Sequence, residues 1–259
     1  MRLSIAVDLD YAIIGSPTDV LLQIAAAAMA DQRIVDERLT IWSDHPIAAV
    51  AGEDGVGQRC WIRAEHWLKA EYRATVDVER APVDLAPLHA TPVRALDGAL
   101  VPYLLPSRYC QSDRLEGFVR RLFAGLEGGA LAAALAAWVH DELDYRSNTS
   151  SGETTALDTF ASRAGVCRDY AHLLVALARA GEIPARCVAA YAPGVDPPDF
   201  HAVAELWLEG AWRLVDATGM APADTVARVC AGRDATDIAF MTVFGTAQFV
   251  HQSVRVTRV

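Results

Sequence analysis

The stretch Ser162–Gly181, SRAGVCRDYAHLLVALARAG, decides how this chain is read. Gly165 closes one helical pattern and Cys167 opens another, which is apolar on nearly all sides beyond Asp169. Such all-round apolarity marks a helix buried in a core. A cysteine at the start of that helix faces free backbone N–H groups and the positive end of the helix dipole, an environment that favours thiolate over thiol. The thiolate is the form that attacks a carbonyl carbon, so Cys167 is a candidate nucleophile.

Downstream, FHAVAELWLEGAWRLVDATG (200–219) reads as a hairpin. With Glu209-Gly210 as a two-residue turn, Leu208 pairs with Ala211 and each further pair follows in register. His201, Val203, Glu205 and Trp207 then share one face, and Leu214 and Asp216 join it from the other strand. His201 and Asp216 become diagonal neighbours, about 7–8 Å apart at Cα and within side-chain reach of each other. A three-residue turn would put them on opposite faces. Cys167 brought to that face completes a set in which His201 takes and returns a proton and Asp216 fixes its tautomer. The Cys167 backbone N–H is the expected oxyanion donor, and the sequence does not disclose a second one.

Upstream, the chain to about residue 80 alternates in short segments that read as strands: 3–13, 20–29, 34–42, 58–64 and 67–78. Turn signals such as GSPTD, SDHP and GEDGVG separate them, a spacing that suggests an antiparallel β-sandwich. Residues 81–107 hold five prolines and read as an extended crossing. Helical spacing then predicts helices over 114–124, 131–143 and 155–164, the last with a Thr155-x-x-Asp158 capping box and Gly165 placed to end it. Strands are expected over 185–192, 200–208, 212–216 and 248–257. The expected class is α+β, with a sandwich over 1–110 and a helix-on-sheet domain over 111–259.

Composition narrows the functional classes. The 259 residues carry a formal net charge of -10, and the 23 basic residues form no runs, which argues against nucleic acid and anionic membranes as partners. The N-terminal MRLSIAVDLDYAIIG is broken by two aspartates and reads as a strand instead of a signal peptide. Five cysteines, at 60, 110, 167, 187 and 230, form no tight pair, so reduced thiols in the cytosol are expected and a metal site or cofactor is not.

The segments GVCRDYAHLLVALARAGEIPARCVAAY, FHAVAELWL and WRLVDATG, taken together, resemble the transglutaminase-like superfamily of papain-type cysteine enzymes. The resemblance covers roughly 112–245, and the β-rich region ahead of it resembles the domain that precedes the core in bacterial members. It implies a Cys167, His201, Asp216 triad that acts on amide bonds of a peptide or protein through a thioester. Hydrolysis, acyl transfer to an amine and a non-catalytic interaction module on the same fold all stay open, as does oligomeric state. Papain itself is disfavoured by the 34-residue gap from Cys167 to His201. Two positions depart from the pattern: Val203 stands where an aromatic commonly follows the His-Ala pair, and Ala190 where glycine usually precedes the tyrosine. Among other residues, Asp169 suits the first helical turn, Arg168 reads as salt-bridged, and His172 lies too far around the helix to serve Cys167. Glu205 is an alternative orienter for His201, and DATDIAFMTVFG (234–245) reads as a buried connection.

Overall fold

Strict alternation of buried and open positions in Arg2–Ile14 gives the first long strand, β1, as period-two patterning demands. The computed structural model describes residues 1–15, 17–43 and 45–259; Ser16 and Asp44, within the turn signals GSPTD and SDHP, lie outside the described residues. After β1 come β2 (Thr18–Leu22), β3 (Gln32–Trp42), β4 (Ala48–Ala51), β5 (Gln58–Ala64) and β6 (Trp67–Val78). The second half adds α1 (Glu116–Leu122), α2 (Gly128–Glu142), β7 (Asp144–Tyr145), α3 (Ala156–Ser162), β8 (Ala164–Gly165) and α4 (Cys167–Ala180). It ends with β9 (Ala185–Tyr191), β10 (His201–Leu208), β11 (Ala211–Val215), β12 (Ala227–Gly232), α5 (Ala235–Ile238), β13 (Met241–Val243) and β14 (Thr246–Arg258).

These strands make three four-stranded antiparallel sheets, ordered β14-β1-β6-β3, β13-β2-β5-β4 and β11-β10-β9-β12, and a parallel two-stranded pair, β7-β8. The first two face each other through Leu3, Ile5, Val20, Leu22, Ile62 and Leu68, all in one buried core. The expected sandwich and the α+β class are both present. The last strand is a correction to the sequence reading. It lies against β1 along nearly its whole length, from Leu3–Arg258 to Ile14–Thr246, instead of extending the C-terminal sheet. The expected boundary between 110 and 111 therefore divides chain order but not sheets.

Other departures are local. Of the expected 20–29 strand only 20–22 forms, as the end of β2; the alanine run that follows sends its backbone bonds elsewhere. The Ala26 N–H donates to the Tyr72 hydroxyl at 2.9 Å, the Ala27 N–H to the Arg228 carbonyl at 2.8 Å, and Gln32 Nε2 to the Ala27 carbonyl at 2.7 Å. That run thus seams the two halves together, helped by Tyr191, whose hydroxyl donates to the Ile24 carbonyl at 2.6 Å. The proline-rich crossing contains 3₁₀ turns at Val93–Ala95 and Gly98–Tyr103. The expected capping box is present, with Thr155 and Asp158 exchanging bonds, but Arg163 at φ 55° ends α3 in place of Gly165. Gly165 instead leaves room for Asp169, because a Cβ at that position would meet the aspartate side chain at 2.6 Å.

Helix α4 is buried continuously from Asp169 to Arg179. It packs on β9 and β10 on one side and on α1, α2 and α3 on the others. Each fully buried leucine here, Leu173, Leu174 and Leu177, contributes about 1.5–3 kcal/mol, so this helix is the framework on which the first residue, Cys167, is held.

Candidate active site

The hairpin forms in the register read from the sequence. Leu208 pairs with Ala211, Trp207 with Trp212 and Ala204 with Val215, around a turn in which Glu209 and Gly210 take φ of 50° and 71°. Both central residues at positive φ fit the twist of two-residue hairpins. Beyond the paired ladder, His201 Nε2 lies 2.9 Å from Asp216 Oδ2, with both side chains essentially sealed from solvent. Asp216 is itself locked in place. Its Oδ1 accepts from the Thr218 N–H at 2.9 Å and the Thr218 hydroxyl at 2.7 Å, and its Oδ2 also accepts from the Ala221 N–H at 2.9 Å. Burial would raise its pKa, but the bonds to His201 and Thr218 reverse that and hold it below the ordinary aspartate value.

His201 Nδ1, also buried, has no closed hydrogen bond and is left for Cys167, its neighbour on the first turn of α4. Burial would lower the imidazole pKa; the Asp216 hydrogen bond and the Cys167 sulfur more than offset it and raise it to about 9. His201 is thus a cation at neutral pH, clamped by a carboxylate on one nitrogen and presented to sulfur on the other. The Cys167 sulfur is half-buried and touches the Phe200 carbonyl at 4.0 Å.

The start of α4 is braced by Asp169, fully buried, whose Oδ2 accepts the Val166 N–H at 2.8 Å and whose Oδ1 accepts the Ser150 hydroxyl at 2.9 Å. Arg168 donates to Ser150 Oγ and to the Ser151 carbonyl, so it staples the preceding loop to the helix. One group escaped the sequence reading. Tyr145, on β7 and paired with Gly165 of β8, lies beside Cys167. Burial, then the nearby sulfur, push its pKa up to about 12, so the phenol keeps its proton. The parallel pairing of two dipeptides, Asp144-Tyr145 with Ala164-Gly165, leaves no periodic signal in a sequence.

Glu205 does not orient His201. It is fully buried and binds Arg186 Nε and Arg228 NH1, each at 2.7 Å. Arg186 continues to Asp54 at 3.1 Å and Arg228 to Asp31, so this ionic network ties the sandwich to the C-terminal sheet. His172 is buried, as expected, stacked on Tyr109 with ring centroids 5.1 Å apart. A ring nitrogen of His172 and the sulfurs of Cys110 and Cys187 lie within 4.8 Å of one another, a spacing that a metal could bridge. The tautomer argues against it. Nε2 accepts the Ala235 N–H at 3.1 Å, so Nδ1 carries the proton of a ring that burial keeps neutral, with a pKa lowered to about 3. A ligating histidine needs the reverse, a lone pair at the metal and a donated N–H behind it.

A cavity of about 300 Å³ opens beside the sulfur, lined by Cys167, His201, Phe200, Asp199 and residues from the segment 235–241. The sequence DATDIAFMTVFG therefore lines a cleft, contrary to its reading as a buried connection.

Residues 124–217 match the transglutaminase-like superfamily. A crystal structure of a Cytophaga hutchinsonii protein proposed to be a cysteine protease superposes with a TM-score of 0.93 at 35% identity, over 99% of this chain and 90% of that one. The chain belongs to the transglutaminase-like superfamily. It is also similar to an uncharacterized Mycobacterium leprae protein, 25% identical over 217 residues that cover 81% of this chain and 68% of that one. The periplasmic domain of TgpA from Pseudomonas aeruginosa aligns over 85% of this chain and 90% of its own at 18% identity and a TM-score of 0.46. No helix among the described residues is long and apolar enough to cross a membrane.

Proposed function

We propose that this protein is a cysteine-dependent amide hydrolase with Cys167 as nucleophile, His201 as acid and base, and Asp216 as orienter. The observation that supports it most is His201 held by Asp216 at Nε2 with its Nδ1 left open beside Cys167. An imidazolium beside sulfur is the partner a thiolate needs. The likeness to a protein proposed as a cysteine protease agrees with this reading.

The thiolate adds to the carbonyl carbon of the substrate, and the carbonyl oxygen takes the negative charge. The Cys167 N–H, at the start of α4, and the Tyr145 hydroxyl beside it are the two donors for that oxygen. His201 gives its Nδ1 proton to the departing nitrogen, the C–N bond breaks, and an acyl thioester remains on Cys167. Water then attacks the thioester as His201 takes one of its protons, releasing the acid and restoring the thiolate–imidazolium pair. Substrates are peptides or proteins, and the reducing cytosol suits five unpaired cysteines, two of them, Cys110 and Cys187, close together without a disulfide.

The test is product analysis by mass spectrometry on a denatured protein substrate, with and without a primary amine in excess. The expected products are peptides with new carboxyl termini whether or not amine is present. Amine-substituted glutamines as the main product would establish acyl transfer instead, and an unchanged substrate would favour the interaction module.

A further inference from the structure

The geometry points to an apolar side chain on the acyl side of the scissile amide as the specificity element of this site, held in the cavity beside Cys167; this rests on the proposed cysteine chemistry. The cavity's walls are Val229 from β12, Ile238 from α5, Met241, and Phe240 together with Phe200 from just ahead of β10. Phe200 and Phe240 are stacked face to face, with centroids 4.4 Å apart and rings 9° from parallel, so this wall is stiff hydrocarbon. At about 300 Å³ the space is at the small end of ligand cavities and suits one side chain.

Most of the polar groups on its lining are already engaged. Gln23 donates from Nε2 to the Asp237 carbonyl at 3.1 Å and accepts at Oε1 from Arg59 Nε at 3.0 Å. Gln252 donates to Asp199 Oδ1 at 2.7 Å and accepts from the Tyr11 hydroxyl at 2.9 Å. Arg168 gives its Nη2 to the loop at 150–151, and only its Nε is left without a partner. A carboxamide or carboxylate entering here would give up its water and find few free partners, whereas leucine or phenylalanine gives up nothing and covers the aromatic wall. The exposed Asp199 on the rim adds repulsion against an acidic side chain. Gln23 comes from the sandwich half and Gln252 from β14, so the return of the last strand to the first sheet is what closes this pocket.

The test uses blocked dipeptide aldehydes, whose carbonyl carbon adds Sγ reversibly while the oxygen takes a proton, and which need no turnover. Each of the two acyl-side residues is varied in turn among Leu, Phe, Gln and Glu, and protection of Cys167 from iodoacetamide is read by peptide mass spectrometry. At one of the two positions Leu or Phe should protect at a concentration at least tenfold lower than Gln or Glu. Phe240→Ala should shrink that preference to less than threefold, with a cooperative urea transition confirming a folded protein. Equal protection by all aldehydes, or a preference that survives Phe240→Ala, would overturn the pocket alone. Failure of Cys167 to react with iodoacetamide at neutral pH would remove the nucleophile, and the pocket with it.

Discussion

His201→Ala is expected to lower kcat/KM on a peptide amide by at least about 10³-fold while leaving the protein folded, because in the proposed chemistry the residue supplies the proton for the leaving nitrogen and the charge beside the sulfur. It occupies the first position of β10, ahead of the paired ladder with β11, so the hairpin register from Ala204 to Leu208 does not depend on its ring. The wild-type pH profile should carry the same signature. With the imidazole pKa raised to about 9, kcat/KM falls as pH climbs through that value and the acid is lost. Stability follows the same sign: a raised folded-state value contributes fully below the ordinary 6.5 and ceases to contribute as pH rises through about 9. Steady-state rates of both proteins across neutral and alkaline pH check this; an alkaline limb that persists in His201→Ala would assign it to another group.

The largest stability effect is expected from Glu205→Ala. Removing the carboxylate leaves Arg186 and Arg228 buried without their shared counter-charge, and breaking such a pair costs about 3–5 kcal/mol. That is a large share of the roughly 5–15 kcal/mol typical of a whole domain. Because Asp31 and Asp54 of the sandwich bind the same two arginines, the loss should act on how the halves hold together as well as on the C-terminal sheet. Urea denaturation followed by tryptophan fluorescence measures it. A midpoint within the error of wild type would show that the network contributes no net stability, and Glu205→Gln should fall between the two.

What the sequence made legible, and what it hid, separate by range. Hairpin geometry is local: a Glu-Gly turn with both residues at positive φ sets the register, and the register alone delivers His201 to Asp216. The capping box of α3 and the buried character of α4 are equally short-ranged. Hidden were the features made by distant pairings. The last strand alternates like any other, and nothing in it specifies β1, at the other end of the chain, as its neighbour. Val20 to Met29 reads as one apolar run because alternation cannot reveal that its second half will bond to Tyr72, Gln32 and Arg228. The cleft lining at 235–241 and the placement of Tyr145 depend on pairings of the same long range.

The departures from the family pattern fall where the structure gives them a consequence. Ala190 lies opposite His201 in the sheet and is buried, so its methyl group lies directly against the catalytic strand. Val203 is buried in a second apolar cluster with Val188 and Leu214 and not in the cavity beside Cys167. Neither touches the proton path.

In the proposed reaction Cys167 carries the acyl group during amide cleavage. This is tested most directly by quenching the enzyme in acid during turnover of an activated peptide ester or amide and locating the bound acyl mass by peptide mapping. One acyl group per chain is expected, on the peptide containing Cys167, and none on Cys167→Ala. Acyl label on any other residue, or turnover undiminished in Cys167→Ala, would contradict it.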